Sequence, residues 1–192
     1  FLPNSHGGFS IMSELRTNRI VPRDGLTSGT GIGGGIIQVK SVTKTDTFGN
    51  QNETFTDITG LSVTITPTRS DSKILVMYSG CASCESTNRI GHVRLVRVVG
   101  GTTSTDIFIG NAGESNQARA SSTFAASQQY MANAFNGTFM DFPATTSAVT
   151  YKLQVAAGDQ GYEIKIGQTR DNSNEFSRAR TPSSITVMEV SG

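Results

Sequence analysis

Six features of the sequence have residue types and spacings that chemistry could use. Cys81 and Cys84 form a C-x-x-C pair. A zinc site wants four ligands, and no second Cys/His pair accompanies this one. A redox role wants the pair to open a helix after a strand. Here the pair ends a strand-like run from Lys73 to Ala82, so it reads as two free thiols. The run Gly29-Thr30-Gly31-Ile32-Gly33-Gly34 spells G-x-G-x-x-G. The dinucleotide fingerprint needs a strand before it and a helix behind it to meet the phosphates. Here a strand follows and none precedes, which argues against a nucleotide. Nucleophilic catalysis usually draws on histidine as base, and the chain has two, His6 and His92. His92 shares one strand face with Arg94 while Val93 and Leu95 take the other, the pattern of a surface or interface histidine. Asp141, Asp159, Glu163, Asp171 and Glu175 are candidate carboxylates for glycoside cleavage, which needs two of them together across a bond. Asp171-Asn172-Ser173-Asn174-Glu175 offers alternate oxygen ligands like the start of a calcium loop. It has Phe176 at the sixth position, where that loop requires glycine, and reads as a polar turn. Asn52-Glu53-Thr54 and Asn136-Gly137-Thr138 are glycosylation sequons, which arise freely in an Asn/Thr-rich chain. The expectation is no catalytic residue, no metal, no cofactor and no enzymatic activity.

Composition narrows the class. Of 192 residues, 35% are hydrophobic and 16% charged, both below ordinary globular usage. Gly, Ser, Thr and Asn fill the difference, as in a β-protein with many turns and a hydroxyl-rich surface. Sixteen basic and fifteen acidic side chains leave a net charge of +1, so there is no field of one sign to steer nucleic acid or an anionic membrane. Arg16, Arg19 and Arg23 lie close together, as a solvated segment or one that pairs with a partner's carboxylates. The longest apolar run, Ile74 to Met77, is far below the ~20 residues of a bilayer span. The expectation is therefore no nucleic acid and no membrane insertion. Residues 1–8 lack a basic start and an apolar block, so they are not a secretory signal. Met12 is a more natural start than Phe1, which makes the leading residues an upstream extension or a processed end.

Two regions position these residues. In 1–35, six of the eleven positions from Gly25 to Gly35 are glycine, which forbids helix and leaves little to bury. This predicts an extended arm, reaching at most ~115 Å. From Ile36 to the end the period is two. Ile37 and Val39 alternate with Gln38 and Lys40. Phe55 to Ile58 follows, and a turn at Gly60 leads to Leu61, Val63 and Ile65, stopped by Pro67. Lys73 to Tyr78 reads as a buried strand. Ile90 to Val99, Asp106 to Ile109, Tyr130 to Met140, Val149 to Val155, Tyr162 to Ile166 and Ser184 to Val190 continue the series, the last as a central strand. Residues 111–129 read as a long loop or a short helix. Nine or ten short strands at this spacing predict an all-β, jelly-roll-like antiparallel β-sandwich over 36–192. Phe124, Tyr130, Phe135, Phe139 and Phe142 call for a core or an interface, with the core as the default for each.

Several segments also resemble a known family. Ser13 to Gly25, Gly33 to Val39, Thr56 to Pro67, Ser72 to Val76 and Ser184 to Val190 are similar to the leader, linker, first strand, a hairpin and two further strands of bacteriophage virion fibre proteins, particularly those of marine cyanobacteria. Residues 100–140 and 168–181 match nothing in that pattern. The resemblance implies a virion structural protein, assembled in the bacterial host cytoplasm: a homotrimer of jelly rolls docked on other virion proteins, tail or capsid, through its arm. Leu15, Arg16, Asn18, Arg19, Ile20, Val21 and Pro22 are then the expected virion anchor. One reading is a tail-fibre-like fibre or knob displaying the sandwich for host attachment. Host surface glycans would meet Asn, Ser, Tyr and Arg in 111–129 and 168–181. The alternative is a capsid decoration or cement protein that stabilises the shell without a receptor.

Overall fold

The computed structural model describes residues 35–126, 128 and 130–191. The predicted arm and all seven expected anchor residues lie outside them. The described chain is all-β, an antiparallel sandwich of jelly-roll type built from eleven strands.

In one sheet β1 (Ile36–Lys44) pairs with β11 (Ser183–Val190), β11 with β4 (Lys73–Cys84), and β4 with β8 (Asn133–Asp141). Two short strands lengthen this sheet. β10 (Ile164–Ile166) pairs with β4 at Ala82–Cys84 and carries β2 (Phe48–Asn50) on its far side. In the other sheet β3 (Thr56–Ile65) pairs with β9 (Val149–Ala157), and β9 with β5 (Arg89–Val99). The free side of β5 is shared by β6 (Thr103–Ile107) and β7 (Ser122–Ala126), with residues 108–121 making an excursion between them. The order β1-β11-β4-β8 against β3-β9-β5-β6/β7 is that of a double Greek key. β11 is a central strand, as expected.

Alternation builds the core. Ile74, Val76 and Tyr78 of β4 and Ile185 and Val187 of β11 face Leu61, Val63 and Ile65 of β3 and Tyr151, Leu153 and Val155 of β9, all nearly or fully buried. Successive residues of a strand point to opposite faces, so the intervening Ser, Thr, Met and Lys residues are left outside. The rings need room that neighbours give up. A Cβ on Gly137 would stand 2.5 Å from Tyr78 Cζ, so only glycine lets β8 lie beside that ring.

Four expectations are corrected. Thr56 to Pro67 is not a hairpin and Gly60 is not its turn. β3 is one strand with a register shift between Asp57 and Ser62, and Gly60, at φ +86°, supplies the left-handed residue this irregularity needs. The strand expected over Asp106 to Ile109 is β6, which starts three residues earlier, at Thr103. A tight turn after Val99 brings Thr103 straight back onto β5, and Phe108, at φ +53°, ends the strand. Residues 111–129 hold neither a helix nor an unbroken loop, because β7 pairs there with β5. Of the five aromatics, Phe124 and Phe135 are buried and Phe139 packs on the core. Tyr130 and Phe142 are 50% and 62% exposed and carry cations over their rings, Arg178 and Lys73.

Candidate functional site

Among the described residues, those singled out for catalysis are scattered, except that Asp171 and Glu175 meet on one arginine, and His6 lies outside the described residues. Cys81 and Cys84 both lie within β4, three residues apart. At ~3.3 Å per residue their Cα atoms are ~10 Å apart and their side chains point to opposite faces, beyond disulfide reach. Each candidate carboxylate sits against a cation: Asp141 at 2.8 Å from Arg97, Asp159 at 3.2 Å from Arg89, and Glu163 at 3.7 Å from Lys165. Asp171 and Glu175 share Arg178, at 2.9 and 3.5 Å. Asp171 also accepts from the Ser173 backbone N–H at 3.1 Å, which makes 171–175 the polar turn expected of it. The Arg178 guanidinium holds the Asp171 carboxyl below the usual carboxylate range. His92 does share a face with Arg94. It is half-buried, and burial holds its imidazole below the ordinary value, so it is neutral at pH 7.

The two sheets present different outer faces. On the β3-β9-β5 sheet, charges are tied to one another. Arg94 bonds Asp106 at 2.7 Å and Gln154 at 3.0 Å, and Lys152 and Gln154 both donate to Asp57 at 2.7 Å. The face of the other sheet carries rows without charge. Register places Val39 opposite Met188, Met188 opposite Leu75, and Leu75 opposite Met140, so four apolar side chains line up across four strands. The next row is Ser41, Thr186, Met77 and Thr138, and the next Thr43, Ser184, Ser79 and Asn136. Between neighbouring strands at ~4.8 Å, each row is ~15 Å long. Val39 is 51% and Met77 41% exposed, and Ile36 and Ile37 are exposed beside them. A shallow depression of about 350 Å³ runs along Met77, Asn136, Thr138, Thr186 and Met188. Chemically this face can bury apolar and hydroxyl surface against a flat partner. Its rows were hidden from sequence reasoning because they depend on register between strands more than 100 positions apart, such as Leu75 and Met188. Alternation within each strand marks which residues point outward, but not what stands beside them.

No protein-family model matches this chain, and no curated protein matches it. Among solved structures it is similar to two of infectious bursal disease virus, from the Gt and Gx strains. TM-scores are 0.41 and 0.35 at 12% identity, over 80% of this chain. The matched chains are covered over 39% and 40% of their length, so this chain spans about two fifths of them. Superpositions this loose bear on neither partner nor function.

Proposed function

We propose that this protein is a non-enzymatic bacteriophage virion component: a trimeric knob or fibre tip, held to other virion proteins by Leu15, Arg16, Asn18, Arg19, Ile20, Val21 and Pro22, and presenting its sandwich to the host surface. The observation that carries self-association is the set of three uncharged rows on the outer face of the β1-β11-β4-β8 sheet, bordered by Lys73 in the next row. A face with no Asp, Glu, Lys or Arg in three successive rows meets a second copy of itself without like-charge repulsion. The sequence resemblance to phage fibre proteins supplies the virion setting.

Magnitudes bear on whether this face can hold copies together. Removing the remaining exposure of five side chains (Val39, Leu75, Met77, Met140 and Met188) is worth roughly 5 kcal/mol per face. One association costs ~4–15 kcal/mol of rigid-body freedom. Two buried faces, roughly 10 kcal/mol together, are of the size of that cost, so this face can hold copies together, while the number three comes from the resemblance to fibre proteins. The test is the solution mass of the full-length protein, of a form lacking residues 1–35, and of Met77→Glu. The expected result is a trimer for the first two and a monomer for the third, because Met77 lies exposed between Thr138 and Thr186 and tolerates a charge unless a partner covers it. A monomeric truncated form makes the arm the assembly element and overturns the reading. A trimeric Met77→Glu protein moves the interface off this face.

A further inference from the structure

On the outer side of the β3-β9-β5 sheet, a cleft of about 990 Å³ opens between β5 and the excursion 108–121. Its floor is Phe55, Ile90 and His92, and its rim is Glu53 with Ser115, Asn116 and Gln117. Both walls are held by hydrogen bonds that do not involve a ligand. The Asn50 amide donates to the carbonyls of Asn52 and Val155 at 3.2 and 3.0 Å, and Ala157 N–H donates to Asn52 at 2.8 Å. That fixes the segment carrying Glu53 and Phe55. The excursion is closed at its base by Gly110 N–H to the Ala120 carbonyl, at 3.3 Å, and by Arg119 to the Gly110 carbonyl, at 2.9 Å. Ser121 then ties the return of the loop to β5 by accepting from Leu95 N–H at 2.9 Å. A loop with adjacent ends, pinned to a rigid sheet, is a common carrier of binding residues.

The lining selects a ligand class. Ser115, Asn116 and Gln117 offer neutral donors and acceptors, and Phe55 and Ile90 offer apolar surface beneath them. His92 is half-buried in the floor and adds a neutral imidazole to it. Among the described residues, none that lines the cleft is a cation. The nearby Arg94 lies 3.8 Å from the centre of the Phe55 ring and is already bonded to Asp106 and Gln154. A phosphate or carboxylate would therefore meet Glu53 with nothing to neutralise it. Hydroxyls around an edge with a C–H face below are the surface of an uncharged sugar ring. We infer that this cleft binds a neutral saccharide, with Asn116, Gln117 and His92 bonding its hydroxyls and Phe55 and Ile90 packing against its ring. The inference rests on the display reading, to which it gives a site and a ligand class. Each copy in a trimer carries one such cleft, so weak single sites add through avidity.

The experiment is saturation-transfer NMR on the full-length protein with glucose-, galactose- and mannose-containing trisaccharides, and with sialyllactose as the anionic probe. At least one neutral trisaccharide is expected to receive saturation and sialyllactose is not. Asn116→Ala/Gln117→Ala, two exposed loop changes, is expected to weaken binding roughly tenfold or more. No transfer to any neutral sugar, equal transfer to sialyllactose, or an unaffected double variant overturns the inference. Labelled protein applied to bacteria that the particle infects separates this failure from the larger one. Protein that coats the cells yet binds no saccharide overturns the cleft and leaves attachment through another surface. Protein that does neither overturns both.

Discussion

At the scale of single residues, Asp141 shows how a group that invites a catalytic reading becomes a brace. It is buried at the end of β8, accepts from Tyr151 Oη at 2.7 Å, and pairs with Arg97 at 2.8 Å. Burial and the adjacent Asp141 carboxylate push the Tyr151 phenol well above its ordinary value, so it stays a donor at every working pH. Three polar groups on β5, β8 and β9 thus meet inside the sandwich, with Asp141 bonded to both of the others. Removing one partner leaves an uncompensated charge, and that costs more than the pair itself contributes. Asp141→Ala is expected to lower unfolding free energy by about 3–5 kcal/mol in urea titration. Adding Arg97→Met should restore much of the loss. If the double variant is as unstable as the sum of the single ones, the pair is not what makes Asp141 costly to lose. Nothing near Asp141 in sequence announces this, since its partners lie 44 and 10 positions away.

At the scale of elements, legibility follows burial. β4, β9 and β11 were readable because each keeps a strict alternation against the core, and β11 was rightly placed at the centre of a sheet. β2, β6 and β7 are short edge pieces whose outward residues are as polar as a turn, so period two left little trace. Tyr130 and Phe142 were misplaced because an aromatic ring next to a strand end can lie on a cation as well as in a core. β11 also contains a local conflict: its inward series is Ser183, Ile185, Val187 and then Glu189. The conflict is resolved across elements. Glu189 accepts from Gln38 of β1 at 2.6 Å and from the Thr68 N–H and hydroxyl, each at 2.7 Å. Burial pushes its carboxyl up, but these donors, led by Gln38, hold it down at about 2, against an ordinary value of 4.5. A depressed carboxyl stabilises the fold above its unfolded value and loses that contribution as pH falls. The loss therefore falls between about pH 4.5 and 2, and is on the order of 3 kcal/mol. Urea midpoints measured from pH 6 down to 2.5 should fall further for the natural protein than for Glu189→Gln. Parallel curves mean that Glu189 is not the titrating brace.

At the scale of the whole molecule, the sequence allowed a sandwich to be expected, because strand number and turn spacing survive without knowing who pairs with whom. The two outer faces were not legible, since an outer row is assembled from residues far apart in the chain. The two faces differ: one carries three uncharged rows, where self-association is proposed, and the other is charged and opened by a cleft. The division has a consequence for the particle. If the sandwich is displayed, the cleft-bearing side must reach the host, and the shell has no need of it. Particles lacking the protein are then expected to resist heat and low ionic strength like the complete ones, while adsorbing to host cells at a reduced rate. Adsorption should return when purified full-length protein is added back, and should not return with a form lacking residues 1–35, which has no anchor. The opposite pattern, normal adsorption with particles that burst more easily, identifies a cement protein whose work is done by the arm and the uncharged face together. It would remove the display reading while leaving the fold and the Asp141 and Glu189 braces as they stand.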